Sequence, residues 1–313
     1  MKIFSIIFAI FFICGAYSKS PAAPVNPQPV SVWVIQNSGT NETLLGVSFT
    51  SSTNGYAVGT NGTIRHTTDG KTWVAQASGV TKFLRDVYFS DASTGTIVGE
   101  SGLILRTTNG GTSWTPQISG ATQHLVHVHF ANANTGIATG QGGVILKTEN
   151  GGTTWTSQTS GTTVEIPGVF MINDMTAIAV GFGGTILKTT NGGITWTAQT
   201  SGTTSDLRSV YFSNAMNGIS VGIGGRMLKT VDGGSTWIIP TSRTTNDLYA
   251  VTFTDASNAT ATGSNKILFS SNSGSIWTDQ PIRFTGDLYA VSFVGATSGW
   301  AVGQNGAILH FGN

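Results

Sequence analysis

The sequence predicts an all-β fold, a seven-bladed β-propeller with four antiparallel strands per blade, and three observations carry that expectation. Seven tryptophans, Trp33, Trp73, Trp114, Trp155, Trp196, Trp237 and Trp277, stand 40 or 41 residues apart. Between them, short runs rich in Val, Ile, Thr and aromatic residues alternate with Gly and Asn, which marks strands and tight turns, four to a period. The two ends are complementary. A lone closing strand stands near Ser31, and the last repeat stops one strand short.

Taken in order, the chain opens with Met1 and Lys2, an apolar run from Ile3 to Ile13 broken only by Ser5, and small residues at Ala16 and Ser18. This is the pattern of a secretory signal peptide over residues 1–18, too short to span a bilayer. Cys14, the only cysteine, lies inside it. An exported mature chain would therefore rest on packing rather than disulfides. Residues 19–30 hold four prolines and no apolar period, so they read as an extended leader. The propeller is expected over 31–313.

Each repeat begins with an inner strand of pattern L-x-x-V-x-F, seen at Leu44, Leu84, Leu125, Leu207, Leu248 and Leu288 and varied at Ile166. A second strand ends in Gly, at Gly59, Gly99, Gly140, Gly181, Gly222, Gly263 and Gly303. A third carries G-x-I-L-K-T, and a hairpin T-x-N-x-G-x-T-W then leads to the fourth. Near-continuous apolar runs suit strands buried on both faces. Pro167, which cannot donate to a ladder, belongs at the inner sheet edge. Pairing the orphan strand at Ser31–Asn37 with the last repeat closes the ring. No whole sheet edge is then left open, and a monomer is expected.

The hairpin, at Thr189/Asn191/Gly193/Thr195/Trp196 and its copies, resembles the Asp-box (BNR) repeat. The whole unit is similar to the photosystem II stability and assembly factor family of secreted or lumenal propellers, over about 280 residues from Trp33. That resemblance implies a propeller, an assembly role in thylakoids, and Asp-boxes that act as structural hairpins away from the ligand site.

Composition narrows the partners. Charged residues are 9% of the chain and net charge is +1, so nothing favours nucleic acid or an acidic membrane, which need clustered Lys and Arg. At the mouth of the channel, before each inner strand, stand Thr43, Phe83, His124, Glu165, Asp206, Asp247 and Asp287. Four neighbouring blades thus offer a carboxylate, with packed sheets about 10 Å apart. Arg85 and Arg208, second in their strands, reach the same mouth. We read Glu165, Asp206, Asp247, Asp287, Arg85 and Arg208 as the candidate ligand-binding set of a non-enzymatic propeller that engages a protein or glycan. One alternative is a glycoside hydrolase using two of those carboxylates, for which a separation of about 6.5 to 9.5 Å is required in an inverting pair. The other is the photosystem II assembly factor that the resemblance implies.

No catalytic group, cofactor or metal is assigned. His124, His127 and His129 form H-x-x-H-x-H, but His129 takes the register of Tyr88, Phe170 and Tyr211 and reads as packing. A basic rim of His66, Arg106, Lys147, Lys188, Lys229 and His310, broken by Phe269, reads as solvated. Sequons at Asn41, Asn61 and Asn258 would be glycosylated in a eukaryotic secretory pathway.

Overall fold

In the computed structural model, which describes residues 32–240 and 244–312, seven antiparallel sheets stand around one channel. The expected signal peptide and leader, with Ser31, lie outside the described residues. Blade 1 shows the plan: an inner strand Leu44–Phe49, then Gly55–Gly59, Ile64–Thr67 and an outer strand Val74–Gln76, paired in that order. The inner strands of blades 2 to 7 are Leu84–Phe89, Leu125–Phe130, Gly168–Met171, Leu207–Phe212, Leu248–Phe253 and Leu288–Val294. Each packs against the next, and blade 7 packs against blade 1.

The ring closes as the two chain ends suggest. Trp33–Gln36 pairs antiparallel with Ile308–Phe311, in the register Trp33 to Phe311 and Gln36 to Ile308, as the outer strand of blade 7. Blade 5 departs from the plan. It has three strands, Leu207–Phe212, Gly218–Gly222 and Met227–Thr230, and its outer position is reduced to a single bridge between Lys229 and Ile238. Blade 4 begins its inner strand at Gly168, just after Pro167.

The core is not one cluster but seven, one at each seam between blades. Leu44, Val47, Ala57 and Trp73 of blade 1 pack on Trp300, Val302 and Ile308 of blade 7, for example. Each strand motif has a steric cause. The Phe that ends the inner strand lies over the Gly that opens the second: a Cβ on Gly55 would stand 2.4 Å from the Phe49 ring. The Gly that ends the second strand is needed because a Cβ on Gly59 would stand 2.0 Å from the Thr43 carbonyl oxygen. That carbonyl accepts the Thr60 N–H at 3.0 Å and so fixes the turn into the third strand.

The hairpin is held by its own polar side chains. Thr189 Oγ1 accepts the Gly193 N–H at 2.9 Å and donates to Asn191 Oδ1 at 3.0 Å, which also accepts the Thr195 N–H at 3.0 Å. Where the Asx is acidic, at Asp232, the Thr236 hydroxyl and backbone N–H hold its carboxyl down at about 2.

Candidate functional site

The inner strands line a channel of about 400 Å³. An unpaired sheet edge runs down it seven times, and its N–H groups need acceptors. Side chains of the preceding blade supply several. Asp86 Oδ2 accepts Val128 N at 3.0 Å, His129 Nδ1 accepts Met171 N at 3.2 Å, and Ser48 Oγ accepts Phe89 N at 3.2 Å. Ser292 and Ser209 do the same for Phe49 N and Val251 N, each at 3.3 Å. Sequence reasoning missed Asp86 and the serines. The available signal was a polar residue at the third or fifth place of an otherwise apolar strand.

Burial raises the Asp86 carboxyl, partly offset by the charge of His127, whose Nε2 stands 3.7 Å away. Burial pushes the His129 imidazole down to about 3, with His127 adding to the effect. The three histidines of H-x-x-H-x-H are thereby separated in role. His124 Nδ1 accepts the Ser101 N–H at 2.9 Å, His127 faces Asp86, and His129 faces Met171. Among the described residues no three His, Cys, Asp or Glu side chains converge on a metal position.

The mouth is built by the second residue of each inner strand. In six blades the ladder slips one place there, so that residue leaves the regular pairing: the shift falls between Leu84 and Asp86, and between Leu207 and Ser209. Arg85, Arg208, Tyr249 and Tyr289 are the polar members of this ring and all line the channel. Blades 2 and 5 are three steps apart around seven, so the two arginines come from opposite sides. Arg85 lies 3.7 Å from Glu100 and 5.6 Å over the Phe83 ring, and Arg208 lies 4.5 Å over the Phe182 ring. The Nε atoms of both are buried and have no partner among the described residues. Tyr249 and Tyr289 sit 5.2 Å apart, ring to ring.

The four carboxylates do not form one cleft of free acids. Asp206 Oδ1 accepts Gly183 N at 2.9 Å and Asp247 Oδ1 accepts Gly224 N at 2.8 Å. Both N–H groups belong to the positive-φ residue of the preceding blade's turn, so each acid ties one blade to the next. Asp287 Oδ2 accepts from the Tyr289 hydroxyl at 3.3 Å and Gln304 Nε2 at 3.1 Å. Burial raises the Tyr289 hydroxyl, and the charge of Asp287 adds to that. The Glu165 carbonyl accepts the Phe182 N–H at 3.0 Å, while its carboxylate makes no hydrogen bond or ion pair among the described residues. The basic rim, read from sequence as solvated, is partly engaged: Arg106 Nε donates to Gly151 O at 2.5 Å, and Lys188 and Lys229 reach Ser235 and Ser275 of the following blades. The sequon residues Asn41 and Asn61 are exposed, while Asn258 is half-buried and donates to Asp255.

Residues 71–245 match the family described as Photosynthesis system II assembly factor YCF48, more than half of the chain. The chain belongs to that family. Solved structures extend the likeness to nearly the whole propeller. YCF48 from Cyanidioschyzon merolae is 22% identical with a TM-score of 0.75, over 90% of this chain and 99% of that one. A structure of YCF48 bound to D1 peptide is 20% identical with a TM-score of 0.76, over 91% and 96%. The Niastella koreensis GH74 enzyme is 17% identical with a TM-score of 0.71, over 89% of this chain and 53% of its own. At these identities the structural likeness shows the fold alone. No curated protein matches the sequence. The matched YCF48 segment spans the second residues of blades 2 to 5, including Arg85 and Arg208.

Proposed function

We propose that this chain is an exported, non-enzymatic assembly factor that holds a peptide segment of a photosystem II subunit at the channel mouth. The observation that carries the reading is membership of the YCF48 family, one of whose propellers has been solved with a D1 peptide. The mouth suits such a ligand. Two guanidinium groups with unpartnered Nε atoms favour carboxylates, and the Tyr249/Tyr289 pair gives a ring platform with polar tips. A protein ligand fits better than the glycan considered from sequence. Two of the four acids that a hydrolase would use already cap neighbouring turns. Export through residues 1–18, with 19–30 as leader to the propeller, completes the proposal and rests on the sequence pattern. Mass spectrometry of the secreted product should find a first residue at Tyr17 or Lys19.

The test of function is fluorescence anisotropy with overlapping labelled peptides that tile D1, on the native chain and on Arg85→Ala/Arg208→Ala. Removing two charge-assisted contacts should weaken the bound peptide by at least roughly tenfold. Equal binding by both proteins would move the site away from the mouth, and no binding of any D1 peptide would end the photosystem II reading.

A further inference from the structure

Among the described residues six hairpins plug six seams, and none plugs the seventh. Each hairpin sends its glycines, paired in four blades and single at Gly70 and Gly274, against the preceding blade. Gly70 O accepts from Trp300 Nε1 at 3.1 Å and Gln36 Nε2 at 2.9 Å, and Gly110 O accepts from the Tyr56 hydroxyl at 2.8 Å. The second glycine is capped from within: Trp155, Trp237 and Trp277 donate their indole N–H to Gly152, Gly234 and Gly274 carbonyls at 3.1 to 3.2 Å. A side chain at this place would collide, since a Cβ on Gly111 falls 2.6 Å from Gln76 Oε1 and one on Gly274 falls 2.3 Å from Ile219.

Between blades 6 and 7 the described chain supplies no such turn, because the outer strand of blade 7 is Trp33–Gln36 and its third strand ends at Phe311. What remains is a cavity of about 230 Å³ lined by Trp33, Phe269, Phe293, Phe311, Thr260 and Gln280, among others. Its aromatic floor is intact: Trp33 meets Phe293 edge-on at 5.8 Å, as Trp73 meets Phe49 and Trp114 meets Phe89. The Trp33 indole N–H and the Gln280 carboxamide make no hydrogen bond among the described residues. Their counterparts Trp155, Trp237, Trp277 and Gln36 donate to hairpin glycines, whereas Trp73 donates to Gln36 and Trp114 and Trp196 are unpartnered in filled seams.

We propose that this slot is a second binding site, and that its occupant is a glycine-rich turn of a partner polypeptide. The six filled seams show what the place accepts: a tight turn with at least one glycine, its carbonyls meeting an indole N–H in four seams and a carboxamide in one, over an aromatic floor. The site is independent of the channel and of the peptide held there. Tyr56 occupies the register of Thr260 in blade 1, so Thr260→Tyr fills the slot with a residue that the repeat tolerates.

The probe is a blocked peptide with the sequence of residues 189–195 (TTNGGIT), titrated into ¹⁵N-labelled protein while the indole N–H resonances are followed, Trp33 being assigned with Trp33→Phe. A saturable shift of the Trp33 resonance is expected, absent with the TTNVVIT control, and weakened at least tenfold in Thr260→Tyr and in Gln280→Ala. A Trp33 resonance that does not move, that moves equally with the control, or that titrates unchanged in both variants would overturn the proposal.

Discussion

Acid should loosen this propeller well above the range in which carboxylates titrate, and His129 is the main cause. Its ring sits between Tyr88 and Phe170, 5.2 and 4.4 Å from their centroids, and its Nδ1 must stay unprotonated to accept Met171 N–H. Burial holds the folded imidazole at about 3, against an ordinary 6.5. The unfolded chain therefore takes up a proton that the folded chain refuses. The stability that depends on this is whole above pH 6.5 and is lost as pH falls from 6.5 toward 3. Between pH 7.5 and 5 the full shift corresponds to about 2 kcal/mol, and because the ring borders the channel we expect about 1–2 kcal/mol in practice. Asp69 and Asp232, both depressed by the hydrogen bonds they accept, titrate below this window. Asp86, raised by burial, acts in the opposite sense, but equally in wild type and variant. The assay is urea denaturation by tryptophan fluorescence at pH 7.5 and 5, on the wild type and on His129→Asn, whose amide oxygen stands where Nδ1 does and can still accept the Met171 N–H. The variant should lose most of the difference between the two pH values. His66 and His310, also lowered by burial, leave a residual slope. A slope unchanged to within about 0.3 kcal/mol would refute the assignment.

Other substitutions test the remaining devices. Asp206→Asn keeps an acceptor for Gly183 N–H and should be close to neutral, whereas Asp206→Ala removes it and should cost about 1 kcal/mol in denaturation, as loss of a cap does. Equal costs would mean that the charge, not the cap, is what Asp206 supplies. Thr189→Val keeps the shape but strands the buried Gly193 N–H, at a cost of about 1–3 kcal/mol and with faster amide exchange at Gly193. Gly263→Ala places a Cβ 1.9 Å from the Asp247 carbonyl oxygen, and thermal melts should show a loss beyond about 2 kcal/mol. Trp33→Ala should cost about 3–5 kcal/mol and open the seam between blades 6 and 7 to limited proteolysis before any other.

Why the fold was legible and the site was not follows from repetition itself. A feature present in every blade, such as Gly59 under Thr43 O, is written seven times and shows as a period, and Phe49 over Gly55 is written five times. A ligand meets the ring once, so its contacts must come from departures, and the proposed site is built on two of them: Arg85 and Arg208, where other blades carry Leu45, Val126 or Pro167. Departures are also where the fold repairs itself, and sequence cannot separate the two uses. Asp206, Asp247 and His124 look like one functional register, yet each accepts the N–H of a neighbouring turn, a bond between residues 23 apart that no local pattern displays. Asp86 was invisible for the same reason, since its acceptor role is defined by Val128 of the next blade. The discriminating fact is thus whether a departure has a partner within the ring. By that criterion the acids at 206 and 247 belong to the fold. The guanidinium Nε atoms at 85 and 208 have no partner among the described residues, as is true also at Arg65 and Arg226, but only Arg85 and Arg208 line the channel.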